Sequence, residues 1–359
     1  MPPRIPKTGN RELRTENREP GACSKCPASP DNGAPKSKCD NCSPATLPSE
    51  LKSHFDFPAN DKRCAYLDSR SHDSRITSRE SRNPKIAIIQ STPRIGDIER
   101  NADFIVSCVK NAEIDADILV FGEMFLSGYM PKERLAEAAQ ALDSPVLKRI
   151  AWAAKRAGKY VILGAPLADE KVRGRIYNAA LLVHPDGRID HYEKWFLPAF
   201  GPFEEKWFFA SGERLPVFDT KFGRIGLEIC YDLFFPEITK AYAIQGADIV
   251  VCISASPSTT RKFFEALIPA RAIENTVFLV YCNLVGPQDK MVFWGGGCAV
   301  DPHGKVLAKT RYFESDTAIA EINLDVIRNF RKNRPVLADA RMESYLKIYD
   351  ILQQIKRTD

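Results

Sequence analysis

The sequence predicts a layered α/β or α+β domain built on mixed sheets and preceded by a long coreless segment. Three observations lead there. Short apolar strands alternate with helical stretches from Pro84 to about Ile273. Hairpins with Gly-containing turns are interleaved among the later elements. Residues 1–83 hold no Val and no Trp but ten of the 25 Pro, a composition that buries too little apolar surface and reads as largely disordered. The chain is therefore divided into an extension, 1–83, and a folded domain, 84–359.

Within the domain, Lys85-Ile-Ala-Ile-Ile-Gln90 is an apolar run preceded by Pro, a buried-strand signal. Ile98, Ala102, Ile105, Val109 and Ala112 recur at helical spacing and mark one helix face. Asp117 to Phe121 reads as the next strand, Val146 to Ala157 as a helix, and Tyr160 to Gly164 as a strand. Ile176 to Val183 and Arg188 to Glu193 flank the turn Pro185-Asp-Gly187 and form a hairpin. Arg224 to Ile229, Asp248 to Ile253 and Val277 to Tyr281 are further strands, with helices at Glu237 to Ile244 and Lys262 to Ile273 between them. A second hairpin turns at Asp301-Pro-His-Gly304, and Met342 to Ile355 is an amphipathic helix.

The charge is nearly balanced, 51 Lys+Arg against 46 Asp+Glu for a net +5, which does not suit a polyanion-binding protein. The extension carries most of the excess, without aromatic residues interleaved among the basic ones, so a nucleic-acid partner is not expected. Apolar runs such as Ile249 to Ile253 are far too short to span a membrane. Met1 to Asn10 has no apolar core segment of the kind a secretory signal needs. Ten cysteines in 359 residues fall short of a disulfide scaffold, so a reducing cytoplasm is the expected location, and a special cysteine is a ligand or a nucleophile.

Cys230 is the candidate nucleophile. It ends the apolar run of Gly223-Arg-Ile-Gly-Leu-Glu-Ile-Cys230, and Asp232 and Pro236-Glu237 follow. A thiol at a strand end close to a helix start sits where backbone N–H groups favour the thiolate. A buried structural cysteine is the competing reading, and it is the one adopted for Cys108, Cys252, Cys282 and Cys298. A nucleophilic thiol needs a base. Of the five histidines, His54 and His72 fall in the extension, while His184, His191 and His303 lie in or beside hairpins. A carboxylate is therefore the remaining route.

Glu123 follows a strand and sits among Phe121, Met124, Phe125 and Leu126, where desolvation would raise its pKa toward neutrality. An exposed loop carboxylate is the alternative. Lys194 ends a strand and is followed by Trp195, Phe196 and Leu197. It is read either as a cation that stabilises an oxyanion or as a snorkelling lysine covering apolar surface.

Taken together these residues resemble the nitrilase, or carbon–nitrogen hydrolase, superfamily, over residues 84 to about 350. The resemblance is carried by Phe121-Gly-Glu123 followed by Ser-Gly-Tyr129, by Tyr192-Glu-Lys194 followed by Leu197-Pro198, and by Gly226-Leu-Glu-Ile-Cys-Tyr-Asp232 closed by Phe235-Pro-Glu237. Ala270-Arg-Ala-Ile-Glu-Asn275 and Phe293-Trp-Gly-Gly-Gly297 add to it. The resemblance implies a four-layer α-β-β-α sandwich and a Glu123-Lys194-Cys230 triad acting through a thioester. It implies Glu205 as a supporting carboxylate, the Tyr231 N–H as an oxyanion donor and Tyr129 as a substrate contact. It implies no metal or organic cofactor, and a homodimer or larger oligomer with the helix after Cys230 and the C-terminal segment near the interface.

Tyr231-Asp232 after the cysteine resembles the amidase and carbamoylase branches more than true nitrilases, so the expected reaction is hydrolysis of a linear amide. An N-carbamoyl amide hydrolase is one alternative. Another is a glutaminase-like ammonia supplier, since Leu197 to Glu205 also resembles the glutaminase domains of NAD synthetases; that role would require a separate partner. A non-catalytic scaffold on the same fold is the alternative from a different class. Phe234 stands where many members carry Arg, and Trp195 and Phe196 suggest apolar, aromatic surroundings for the substrate.

In the extension, Cys23-Ser-Lys-Cys26 and Cys39-Asp-Asn-Cys42 have the spacing of a tetrahedral zinc site. The loop between them is small and polar, with no apolar anchor, so a plain tail, or a start codon set too far upstream, competes with a zinc knuckle.

Overall fold

Lys85–Gln90, with all but its first residue buried, forms β1 at the start of a computed structural model that describes residues 83–129 and 134–356. The zinc candidates Cys23, Cys26, Cys39 and Cys42 lie outside the described residues. Asp97 caps α1 (Ile98–Lys110), its carboxylate accepting the Arg100 N–H at 3.2 Å. The stripe read from the sequence overshoots this helix, since Asn111 turns to extended backbone and leaves Ala112 beyond it. After β2 (Ile118–Val120) and the short α2 (Leu135–Ala138), helix α3 (Pro145–Ala157) begins at the Ser144 cap with Pro145 in its first turn. It ends on Gly158 at φ +67°, the left-handed stop that glycine permits.

Strands β3 (Tyr160–Ala168), β4 (Ile176–Val183) and β5 (Ile189–Glu193) then run antiparallel, the last pair joined at Gly187 (φ +96°). The second half holds the short α4 (Glu205–Phe208), β6 (Val217–Thr220), β7 (Gly223–Ile229), α5 (Pro236–Ile244), β8 (Ile249–Ser254), α6 (Arg261–Asn275) and β9 (Phe278–Asn283). There follow β10 (Val285–Gln288), β11 (Met291–Trp294), β12 (Cys298–Val300), β13 (Val306–Lys309), β14 (Asp316–Glu321), α7 (Asp325–Asn333) and α8 (Met342–Lys356).

Two six-stranded sheets result, in the orders β14-β1-β2-β3-β4-β5 and β13-β12-β9-β8-β7-β6. In each, three parallel strands joined by helical crossovers (β1, β2, β3 and β7, β8, β9) are flanked by antiparallel pairs. The strand period of two decides the layers. Ile86, Ile88, Val120 and Ile162 face Leu227, Ile229 and Ile253 of the other sheet. Ala87, Ile89, Leu119 and Val161 face Ile105 and Val109 of α1 and Ile150 of α3. On the far side, Ile238 and Tyr242 of α5 pack on Val250. Each of the Ile, Leu and Val side chains among them contributes roughly 1.5–3 kcal/mol on full burial. The described residues form the expected four-layer α-β-β-α sandwich.

The C-terminal helix forms where the sequence places it, yet none of its described residues is buried. Tyr345, Leu346, Ile348, Tyr349, Ile351, Leu352 and Ile355 are all exposed. Among the described residues, no helix is long and apolar enough to cross a membrane.

Candidate active site

The candidate residues gather where several strands stop, at one end of both sheets, the usual position for ligands in open sheets with parallel strands. Glu123 follows β2. The chain reverses at once, with Met124 at φ +52°, and Gly164 of β3 lets it pass, because a Cβ there would lie 2.2 Å from the Met124 nitrogen. Lys194 follows β5, Glu205 opens α4, and Cys230 follows β7 as the first residue of a 3-10 turn, Cys230–Phe234. Cys230 itself has φ +48°, a left-handed conformation that costs a non-glycine residue about 1–3 kcal/mol and clusters at functional sites.

Lys194 is completely buried, and so are Glu123 and, within 1%, Glu205. The Lys194 ammonium donates to Glu123 Oε1 at 2.7 Å and to Glu205 Oε1 at 2.9 Å. Both competing sequence readings, an exposed loop glutamate and a snorkelling lysine, are thereby set aside. Burial alone would strip charge from Lys194, but the Glu123 and Glu205 carboxylates outweigh it and hold the ammonium well above its ordinary pKa. Burial pushes Glu205 up to about 7; Lys194 restrains that rise and Glu123 adds to it. An ammonium carries three donors, so two used in this way leave a third for another acceptor.

Burial, and next the neighbouring Glu123, raise the Cys230 thiol well above its usual value, with Lys194 and the Ser254 hydroxyl pulling the other way. A thiol so placed rests protonated and needs a base at the moment it reacts. The Tyr231 N–H lies in the first turn after the strand, where N–H groups have no acceptor within the helix. The Tyr129 hydroxyl donates to Glu205 Oε1 at 2.8 Å; Tyr129 is not among the residues lining the cavity next to Cys230. Of the three described histidines, none lines that cavity either; His184 meets Asp190, His191 meets Glu193, and His303 packs on Phe330.

Two partners, Asn178 and Ala255, escaped the sequence reading, and a third, Asp232, was read only as part of the cysteine motif. Asn178 donates to Glu123 Oε1 at 2.7 Å and to Glu205 Oε2 at 3.4 Å, bridging the two carboxylates. Its signal was a lone polar residue in the otherwise apolar Ile176-Tyr-Asn-Ala-Ala-Leu-Leu-Val183. The Ala255 N–H donates to Glu123 Oε2 at 2.7 Å, a backbone contact that leaves no mark on sequence. Asp232 accepts the Phe196 N–H (2.9 Å), the Tyr192 hydroxyl (2.8 Å) and the Ile229 N–H (3.1 Å). Burial raises Asp232 to about 6 against the opposing pull of Lys194 and these donors.

The aromatic surroundings are present, but other residues supply them. Phe196 stacks on Phe235 with ring centroids 3.4 Å apart, and Trp195 packs against the cores. The cavity beside Cys230 is lined instead by Phe200, Phe203, Tyr231, Phe234, Phe263 and Phe264, together with Pro198, Ser256, Pro257 and Thr260. Cys108, Cys252, Cys282 and Cys298 are buried free thiols elsewhere.

This sandwich, with a buried carboxylate–ammonium cluster next to a cysteine, places the chain among known proteins. The carbon–nitrogen hydrolase family model matches residues 85–332, and the chain belongs to that family, within the nitrilase superfamily. It is a hydrolase acting on carbon–nitrogen bonds. It is 34% identical over 260 residues to an (R)-stereoselective amidase from a Pseudomonas species, covering 72% of this chain and 92% of the amidase. It is 30% identical over 256 residues to the glutamine-dependent NAD(+) synthetase of Aquifex aeolicus (strain VF5), covering 69% of this chain but 43% of the synthetase. A solved mutant amidase from Nesterenkonia sp. AN1, showing covalent addition of the acetamide moiety of fluoroacetamide at the active site cysteine, superposes with a TM-score of 0.64 at 28% identity, covering 75% of this chain and 97% of the amidase.

Proposed function

We propose that this enzyme hydrolyses a linear amide through a Cys230 thioester, with Glu123 as base and acid. The observation that carries the reading is the direct bonding of one buried ammonium, Lys194, to both Glu123 and Glu205 beside the protonated thiol of Cys230. The cysteine adduct in the Nesterenkonia amidase supports the assignment of the nucleophile.

In this reading Cys230 Sγ attacks the amide carbonyl carbon as its proton passes to Glu123. The carbonyl electron pair moves onto oxygen, which is held by the third Lys194 donor and the Tyr231 N–H. The C–N bond then breaks as Glu123 returns the proton to the leaving nitrogen, releasing ammonia or amine. Water adds to the thioester and gives a proton to Glu123; the C–S bond breaks, the acid leaves, and the thiol is restored. Glu205, fixed by Tyr129 and Asn178, holds Lys194 in register.

Ammonia release from a panel of amides, N-carbamoyl compounds, glutamine and nitriles tests the reading, with Cys230→Ala in parallel. Turnover of amides, a loss of roughly a thousandfold or more in the variant and an acyl adduct on Cys230 by intact mass are expected. Amide turnover that survives in Cys230→Ala overturns the thioester route.

The same reading has the chain working as a homodimer or larger oligomer. The exposed apolar side chains of α8 support this. Size exclusion with light scattering at micromolar concentration checks it, and a strict monomer overturns it.

A further inference from the structure

The walls of the Cys230 cavity say which acyl groups it accepts, an inference that rests on the Cys230 reading above. Six rings form them: Phe200, Phe203, Tyr231, Phe234, Phe263 and Phe264. Besides the Tyr231 phenol, two aliphatic hydroxyls, those of Ser256 and Thr260, line the cavity, and both of these are engaged. Ser256 Oγ and Thr260 Oγ1 lie 2.6 Å apart, Thr260 also donates to the Pro257 carbonyl (2.9 Å), and the Trp294 indole N–H donates to Ser256 Oγ (3.2 Å). No charged side chain is among the described residues that line it.

Three cations near these walls are committed elsewhere, while Lys206 and Lys262, also close in sequence, are exposed and do not line the cavity. Lys194 is held between two carboxylates. The Arg261 guanidinium lies over the Tyr312 ring at 5.0 Å and pairs with Glu265. Arg271 donates to the Leu233 carbonyl and to Glu274. An acyl chain ending in a carboxylate would therefore lose water among aromatic rings and gain no counter-charge, which disfavours it.

Size sets the other limit. The cavity measures 110 Å³, whereas one of about 150 Å³ takes a benzene ring. A branched aliphatic group of roughly four carbons fits that space on the same scale. Phe200 and Phe263, both more than half exposed, form its rim.

We propose that the enzyme is selective for amides of small, uncharged aliphatic acids and discriminates against acyl chains that carry a carboxylate, glutamine and N-carbamoyl amino acids included. The test has two arms on the full chain. In the first, kcat/KM is compared for 3-methylbutanamide, benzamide, succinamate and glutamine. A preference for 3-methylbutanamide over succinamate and glutamine on the order of 100-fold is expected, with benzamide in between. Phe234→Arg, at a half-buried wall position, should shrink that preference by roughly tenfold or more by giving the carboxylate a partner. In the second arm, binding of 3-methylbutanamide and succinamate to Cys230→Ala is measured by calorimetry, which needs no chemistry.

Equal or stronger use of succinamate or glutamine, or tighter succinamate binding, overturns the selectivity while leaving the amidase reading intact. A silent enzyme whose Cys230→Ala form still prefers 3-methylbutanamide overturns the amidase reading and supports the selectivity.

Discussion

The Asp232 carboxylate accepts the Tyr192 hydroxyl at 2.8 Å, so the turn two residues past Cys230 is fastened to the strand two residues before Lys194. The same carboxylate also takes the N–H groups of Ile229 and Phe196. Cys230 and Lys194 follow strands of different sheets, and this one group spans them. Asp232→Asn keeps the volume but turns a donor toward one of three donors. A tenfold to hundredfold fall in kcat with little change in KM is expected, from a misplacement of about 1 Å. A fall in stability of about 1–3 kcal/mol should accompany it. Steady-state kinetics and thermal melting check both, and an unchanged kcat would count against a positioning role.

Removing the ammonium should damage the fold as well as the reaction. Lys194→Met leaves Glu123 and Glu205 buried with no cation. Breaking one partner of a buried pair typically costs about 3–5 kcal/mol. The deficit depends on pH. Glu205 already binds its proton up to about 7 in the native protein, and without Lys194, which restrains that rise, it holds the proton to still higher pH in the folded state. Stability then falls as pH rises above the unfolded carboxylate pKa of about 4.3. Melting curves of Lys194→Met and wild type should converge near pH 4 and separate by pH 8. A gap of constant size would show that the loss is mere packing.

Glu228 offers the opposite experiment. It is completely buried, and burial pushes it up to about 8, with the Thr239 hydroxyl donating to Oε1 at 2.6 Å in partial opposition. An acid raised in the folded state is penalised progressively between its unfolded pKa and about 8. Glu228→Gln should therefore stabilise the protein, on the order of 2 kcal/mol at pH 8 and little at pH 4. Its Oε2 has no partner, so the new amide N–H₂ inherits that orphaned place and limits the gain. Melting temperature against pH reads it directly.

Gly164 has no side chain because the Glu123 turn crosses it. Gly164→Ala would put a methyl group 2.2 Å from the Met124 nitrogen and 2.7 Å from the Glu123 Cα. Displacement of Glu123 from Lys194 and Ala255 should lower kcat roughly a hundredfold. By contrast Gly158→Ala, which meets nothing within 4 Å, should leave kcat unchanged and cost only the strain of φ +67°. Comparing the two variants separates steric displacement from a general loss of glycine.

Much of this was legible in the chain. The apolar runs placed β1, β3, β4, β7, β8 and β9 within a few residues, because strands buried on both faces are continuous in Ile, Val and Leu. The edge strand β14 was not legible. Asp316-Thr-Ala-Ile-Ala-Glu321 is short and half exposed, so it lacks that run, and its partner β1 lies far away in sequence. Glu123, Lys194 and Cys230 drew notice from the residues around them, and Glu205 came only from the family resemblance. The groups that hold them were not legible. Asn178 faces the site from the middle of a hairpin strand, and Ala255 contributes only its backbone. Trp195 and Phe196 misled because adjacency to Lys194 says nothing of direction. Lys194 itself points into the sandwich, while Phe196 turns to stack on Phe235.

The pairing of β14 with β1 (Lys85 with Glu321 through Gln90 with Asp316) has a consequence for synthesis on the ribosome. At about 5–20 residues per second, the edge of β1 waits roughly 10–50 s for the strand that covers it. Throughout that interval a nascent chain carries an open template of unpaired N–H and C=O groups on an apolar strand. Cellular holding factors, or slow codons placed after β3 has formed, would bear on yield far more than on the stability of the finished enzyme.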